Sequence, residues 1–477
     1  MSRLHVRAHG SCRRSACVRN INRLQGLQGF AGVGKSAALS SVRDAAERTG
    51  YVVQGFAPTS RAARQLHDAG IPSDTLQGFL VRSQQTGADP NSRHLYMVDE
   101  ASLAGTRQMH EFLTKIGPQD RVLLIGDTRQ HQGVEAGKPF EQLVEAGMRT
   151  AQLDQIMRQK DPELKTAVER LAHGDVAAAI DLLQQQGRVT EIADSAARIQ
   201  AVARDYAANP DRTLIISPDN ASRREINDSV RHELQARGMV NVQDHSLRVL
   251  VPRQELTGAE RQWASRYELG DVIRYARGSQ DTGIERGSYA RVVAVNPGEN
   301  LLSVEKQNAE LVTYDPKRLR GVNVYREMER EFAVGDRIQF TAPDKQLQVA
   351  NRDLATIEAI SPHGEISVRL DGGRVVAFSN RDNRHFDHGY AVTSHSSQGL
   401  TADRVLVNVD TSVHPDLINS RFAYVSVSRA SLDARIYTNH AVSLGKDLAH
   451  EVGKSAAMEI SQSVGHTAEL GSQGFRI

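Results

Sequence analysis

Cysteine is nearly absent: the 477 residues contain two, Cys12 and Cys17. One such pair near the N-terminus cannot form a disulfide framework, so a reducing, cytoplasmic setting is expected. The pair is also half of a zinc site at most, and no second pair exists to complete four ligands. No run of 18 or more apolar residues occurs, so no membrane insertion is predicted. An excess of one charge is missing too. Fifty-nine Lys and Arg against 57 Asp and Glu leave a net charge of +2. That balance neither demands nor excludes a polyanionic partner, because a basic groove can sit inside a balanced total. Acid is lacking up to Asp44, whereas Arg3, Arg7, Arg13, Arg14, Arg19 and Arg23 crowd the start. A secretory signal is excluded because no apolar stretch follows them. The composition admits an organelle transit peptide, but a disordered or artificial leader over residues 1–24 is the preferred expectation.

What is present begins with residues 29–36, GFAGVGKS, which fit the phosphate-binding pattern G-x-x-x-x-G-K-[ST]. Glycines let several backbone N–H groups converge on one anion, and the helix that follows adds its positive end. Gly29, Gly32, Val33, Gly34, Lys35 and Ser36 are the expected nucleotide-binding residues. Lys35 would reach the β- and γ-phosphates of ATP, and Ser36 would hold Mg²⁺. An apolar stretch, 95–98, ends in Asp99-Glu100. Asp99 is the second expected Mg²⁺ residue, acting through water, and Glu100 the group that takes a proton from the attacking water. A strand at 121–125 runs into GDTRQ (126–130), where Gln130 would report the γ-phosphate. Arg158 and Arg429 are arginine-finger candidates, because a guanidinium fork matches charge spread over phosphoryl oxygens.

The fold class expected is α/β: two parallel-sheet domains plus an inserted β-rich region. Strands at 51–56, 94–98 and 121–125 alternate with helices in a first domain over 25–150. Helices over 163–186, a strand at 212–217 and a helix at 221–237 open a second domain over 151–242, resumed at 385–440. Between them, over 243–384, short β segments replace the helices and suggest one or two small barrels. LGDVIRY (269–275) and VGDRIQF (334–340) echo each other, hinting at two related modules. Residues 441–477 read as a C-terminal tail.

Eight ordered segments resemble the motifs of superfamily 1 nucleic-acid helicases, specifically the RecD/TraI-like branch. GFAGVGKS resembles motif I, APTSRAA (57–63) motif Ia, TLQGFL (75–80) the next segment, and DEAS (99–102) motif II. GDTRQ resembles motif III, LDQIMRQ (153–159) motif IV, YAVTSHSSQGLT (390–401) motif V and YVSVSRA (424–430) motif VI. The resemblance covers roughly residues 25–440. It implies two RecA-like P-loop domains with ATP between them, a small barrel domain, and single-stranded DNA held across the top. It also implies 5′→3′ movement by a monomer and a link to conjugative DNA transfer, with conjugation or DNA-processing proteins as partners. By motif position Thr59, Ser60, Arg61, Thr393, His395 and Ser396 would contact the strand, and Phe79 is weighed between base stacking and the core.

Departures are equally readable. His131-Gln132 stands where relatives carry apolar residues or proline, and Ser428 where threonine is usual. The helix and glutamine that read adenine upstream of motif I are not recognisable. No His-x-His cluster with paired tyrosines precedes the helicase segments, so a nicking relaxase domain is not expected. A fragment of a longer protein, truncated at its N-terminus, is the expectation. An RNA helicase of similar architecture and a non-catalytic single-strand-binding remnant remain the alternatives.

Overall fold

The computed structural model describes residues 23–82, 92–131, 133, 137–253, 256, 258–319 and 321–452. Cys12, Cys17, most of the Arg-rich leader, Gln132 and most of the expected tail lie outside them. The chain divides into two compact units, Met1–Ile226 with Ala391–Ile477, and Asn227–Tyr390.

The first unit is built on two parallel sheets. Strands β1 (Leu24–Gly29), β2 (Tyr51–Ala57), β3 (Ser73–Thr75), β4 (Arg93–Val98), β5 (Arg121–Gly126) and β6 (Thr150–Leu153) order as β3-β2-β4-β5-β1-β6. Each neighbouring pair is parallel. Such strands are covered on both faces and read as unbroken apolar runs. In β5, Val122 and Leu124 pack with Phe112 and Phe140 on one face, while Leu123 and Ile125 pack with Leu39 and Val42 on the other. Because β6 pairs with β1, this sheet continues past the expected boundary at residue 150. The second sheet takes β7 (Val189–Glu191) and β8 (Thr213–Ser217) from before the β-rich block. It is completed from after the block.

The block itself is the second unit. It holds β9 (His245–Pro252), β10 (Val272–Tyr275), β11 (Tyr289–Asn296), β12 (Leu301–Lys306), β13 (Leu311–Tyr314) and β14 (Val322–Phe332). These form an antiparallel sheet ordered β13-β12-β11-β10-β14-β9. A second antiparallel sheet, ordered β18-β17-β16-β15-β19, uses β15 (Arg337–Phe340), β16 (Leu354–Ile360), β17 (Glu365–Leu370), β18 (Val375–Ser379) and β19 (Phe386–His388). Strand β9 also meets the second sheet's side of the unit: Leu250 donates to Arg384 O, and Leu247, Val249 and Val251 share a core with Ile338, Ile357 and Phe386. Curvature enters through one irregularity in each sheet, between Val292 and Ala294 and between Ile357 and Ala359.

The echo between 269–275 and 334–340 extends far beyond those heptapeptides. Gly270 donates to Val292 O and Gly335 to Ile357 O; Val292 donates to Asp271 O and Ile357 to Asp336 O. The isolated bridges Ser279–Ile284 and Asp344–Val349 fall at the same spacing. Asp271 and Asp336 are both buried, each paired with a buried arginine, Arg253 at 2.7 Å and Arg231 at 2.9 Å. One hydrogen-bonding scheme has thus been used twice in succession along the chain.

The remaining strands, β20 (Ala391–Thr393), β21 (Ala402–Val409) and β22 (Ala430–Thr438), return to the first unit. They give the second parallel sheet its order, β20-β8-β21-β22-β7.

Candidate nucleotide site

The loop after β1 turns into the helix Lys35–Glu47 through Gly32 at φ 80° and Gly34 at φ 74°, left-handed values that favour glycine. That helix has no side-chain N-cap and no acidic residue in its first turn. Its unsatisfied N–H groups and positive dipole end are therefore left for an anion. Lys35 Nζ folds back onto the loop, 2.9 Å from Gly29 O and 3.4 Å from Phe30 O. From the other side, Met157 and Arg158 donate their N–H groups to Gly32 O. Ala31, Gly32, Val33, Gly34, Lys35 and Ser36 line one side of a cavity of about 490 Å³, a volume suited to a nucleotide. Gly29 stands behind them, where a Cβ would come within 3.1 Å of Val33 and 3.2 Å of Lys35.

Asp99 and Glu100 line the same cavity, at the end of β4. Asp99 is fixed by its N–H to Phe56 O at 2.8 Å and accepts the Glu100 N–H at 2.9 Å. Glu100 adopts φ 50°, ψ 38°, a left-handed conformation that costs a non-glycine residue about 1 kcal/mol and recurs at functional sites. Burial pushes both carboxyls above their ordinary range; the Asp99 charge adds to the rise at Glu100, and Lys35 opposes it at both. Two half-buried carboxylates facing a cavity that Ser36 also lines are a donor set that fits a hard divalent cation. No group of three or more His, Cys, Asp or Glu that could hold a metal occurs among the described residues, so phosphate and water oxygens would have to complete the shell.

Asp127, 2% exposed, organises the third side. Its N–H is held by Ser102 Oγ at 3.0 Å, and its Oδ2 accepts from Gln130 Nε2 at 2.9 Å. The same Oδ2 accepts from the Tyr424 hydroxyl at 3.0 Å, and Tyr424 Oη in turn accepts the Ala31 N–H at 2.6 Å. Tyr424 is fully buried, and burial together with the Asp127 charge raises its pKa well above normal, so it stays a neutral donor. One phenol therefore ties the phosphate loop to Asp127 and, through it, to Gln130. Sequence reasoning placed Tyr424 at the head of a motif but gave it no role. Its signal was that position alone.

Both candidate arginines reach the cavity. Arg158 Nη1 donates to Ser428 O at 2.8 Å; burial, then the neighbouring charge of Arg429, pulls its pKa down to about 9. Arg429 is 2% exposed and donates from Nε to Val425 O at 3.0 Å. Burial lowers its pKa as well. Gln159, another residue not singled out from sequence, braces this corner with bonds to Ser428 O and Ala430 O.

The six strand-contact candidates fall into two groups that the structure brings together. Gln65 Nε2 donates to Gly399 O at 3.2 Å, and a Cβ on Gly399 would lie 3.2 Å from Arg61 Cδ. Ser60 and His395 are exposed and Arg61 is half-buried. Other hydroxyls are already engaged within the protein. Thr59 caps the helix Ser60–Asp68 and lies 3.4 Å from Glu100 Oε2; Thr393 caps the helix Ser394–Ser397 and donates to Ser396 Oγ at 3.1 Å. Phe79 is half-buried and packs against the core, its ring 4.5 Å from Phe56 and 5.6 Å from Phe112.

A family model described as an AAA domain matches residues 14–194. The multifunctional conjugation protein TraI of Escherichia coli is 25% identical over 91% of this chain and 27% of its own length. The ATP-dependent RecD2 DNA helicase of Deinococcus radiodurans is 35% identical over 41% of this chain and 28% of its own length. Over the residues matched, this chain is similar to an AAA domain and to helicases of the RecD and TraI kind. It spans less than a third of the length of either relative. The structure of Bacteroides Pif1 bound to ssDNA superposes with a TM-score of 0.52 at 15% identity, covering 96% of each chain, which shows a shared fold of two RecA-like domains. The residues matched by the AAA-domain model include 31–36 of the phosphate loop, Asp99 and Glu100, all of which line the cavity.

Tyr424→Phe tests the phenol bridge. The ring stays, while both hydrogen bonds go. A buried hydrogen bond is worth about 1–3 kcal/mol when one partner is left unsatisfied, so kcat/KM for ATP is expected to fall about tenfold or more. Steady-state hydrolysis at matched protein stability reads the change, and unaltered kcat/KM would remove Tyr424 from the mechanism.

Proposed function

We propose that this chain is an ATP-driven motor on single-stranded DNA, moving 5′→3′ as a monomer and serving conjugative DNA transfer. One observation carries the reading. The phosphate loop, two half-buried carboxylates and two arginines from distant parts of the chain face a single cavity, and motif V residues Gln398, Gly399 and Thr401 line it too. A hydrolytic site is thereby built next to the segment proposed to hold the strand. Relatives named for conjugation and DNA unwinding support the substrate class.

In this reading Lys35 and the uncapped N–H groups of the helix Lys35–Glu47 hold the β- and γ-phosphates. Glu100 accepts the proton of the attacking water, and Arg158 and Arg429 neutralise charge on the transferred group. Gln130, held by Asp127, responds to the γ-phosphate. Ser36 and Asp99 would hold Mg²⁺, which when bound supplies charge neutralisation across the phosphates. Ser60, Arg61 and His395 offer sequence-independent contacts to the strand, with Thr59, Thr393 and Ser396 shaping the loops that carry them.

The test is ATP hydrolysis by the whole chain with and without a single-stranded DNA oligonucleotide, and with RNA of the same sequence. Turnover stimulated by DNA above RNA is the expected result. Stimulation by RNA alone would redirect the substrate, and strand binding without turnover would overturn the motor reading in favour of a binding remnant.

A further inference from the structure

His131 and His395 stack face to face. Their ring centroids lie 3.9 Å apart and their planes are inclined by 12°. His131 is buried and His395 exposed. A second contact reinforces the first: His131 Nε2 and Ser394 Oγ are 2.6 Å apart. The two residues are 264 positions apart in the sequence and adjoin different parts of the site. His131 lines the nucleotide cavity and is bonded through one peptide to Gln130, whose amide is held by Asp127. His395 lies in the short helix capped by Thr393, among the residues proposed to hold the strand.

We infer that the His131–His395 stack is the positioning device that couples nucleotide state to grip on the strand. This rests on the function proposed above. Planar rings at van der Waals distance slide or separate only by losing contact, and the Ser394 bond restrains sliding. A displacement of Gln130 on engaging or releasing the γ-phosphate therefore carries the 131 ring with it, and the 395 ring must follow or unstack. Either response alters the face that the helix Ser394–Ser397 offers the strand. The stack joins the loop after β5 to the helix that follows β20, so it crosses from one parallel sheet to the other within one compact unit. Its two members differ in exposure, as a relay from a cavity wall to an exposed surface requires.

The measurement is the affinity for a fluorescent oligo(dT), by anisotropy, with and without a non-hydrolysable ATP analogue. The ratio of the two affinities is the coupling factor, and couplings of this kind commonly amount to about 5- to 150-fold. His131→Ala is expected to bring the factor to within about twofold of one, as is His395→Ala, and the double variant should add nothing further. His131→Phe keeps a stacking ring and should retain most of the factor. Because His395 also belongs to the proposed strand surface, its replacement changes affinity in both states, and the ratio separates that effect from coupling. His131 is buried, so the exposed-side variant and the phenylalanine rescue keep the test informative if His131→Ala folds poorly. A coupling factor unchanged in both alanine variants overturns the inference, as does His131→Phe behaving like alanine. A wild-type chain that binds oligo(dT) equally with and without nucleotide overturns it too, while leaving DNA-stimulated hydrolysis as the separate measure of the motor reading.

Discussion

Glu100→Gln is expected to lower kcat for ATP hydrolysis by about 10²- to 10⁴-fold, the usual contribution of a positioned general base, while nucleotide still binds. The substitution preserves shape, and the amide oxygen can still accept from Thr59, whose hydroxyl lies 3.4 Å from Glu100 Oε2. What is lost is the capacity to take a proton. Two further readouts follow from the raised pKa of this carboxyl, caused first by burial and then by the Asp99 charge. The acid limb of kcat/KM in the wild type should lie above the ordinary glutamate value of 4.5, because turnover falls as the base becomes protonated. The sign for stability is the reverse of a salt-bridged carboxylate. A folded-state pKa above the unfolded one stabilises at low pH, and that contribution is lost as pH rises through the folded value. At neutral pH the ionised Glu100 is therefore a burden on the free protein, and Glu100→Gln should raise Tm there. Hydrolysis within threefold of wild type would show that another group activates the water.

Local chemistry made the phosphate loop and the carboxylate pair readable. Glycines at positions needing a left-handed turn, a lysine beside them and an acidic pair after an apolar run are short-range patterns, and β4 and β5 declare themselves by composition. The repetition of the β unit was readable for the same reason, through LGDVIRY and VGDRIQF, but the burial of their aspartates was not. Strand β14 was not. VNVYREMEREF mixes charge into nearly every second position, and its strand character comes from pairing with β9 across Tyr325–Phe332, far away in sequence. Closure of the β-rich sheets is hidden from sequence for a similar reason, since it depends on which edges meet and no turn signal encodes that. At the site, Tyr424 reaches Ala31 across 393 positions and Asp127 across 297. No window of sequence contains such a contact. Thr59 shows a subtler gap. Its position beside the strand segment was legible, but not that its hydroxyl is engaged with a helix N-terminus and Glu100.

Arg429→Lys is expected to reduce single-turnover hydrolysis at saturating DNA by about 10³-fold or more, within the range that an arginine finger supplies. Lysine keeps the charge but not the planar fork. The structure explains why the fork matters here. Arg429 lies at 2% exposure, with Nε on Val425 O at 3.0 Å and Nη1 at 3.5 Å from Leu400 O. Those carbonyls aim the guanidinium, and an ammonium on a flexible stem cannot satisfy both while also facing the phosphate. Burial lowers the pKa of Arg429, so its charge is held at a cost that an arriving polyanion relieves. A cation set in place beforehand, in a site shielded from water, stabilises developing charge without reorganising. Arg429→Ala is the less informative change, since it leaves carbonyls and a cavity unfilled and weakens the fold. Arg158 provides the internal comparison. It is less deeply enclosed, with a pKa drawn down to about 9, and its Nη1 rests on Ser428 O, next to Arg429 in the chain. If Arg429→Lys hydrolyses within tenfold of wild type while Arg158→Lys does not, the transferred charge is met by Arg158, and Arg429 serves instead to hold the motif VI backbone in position.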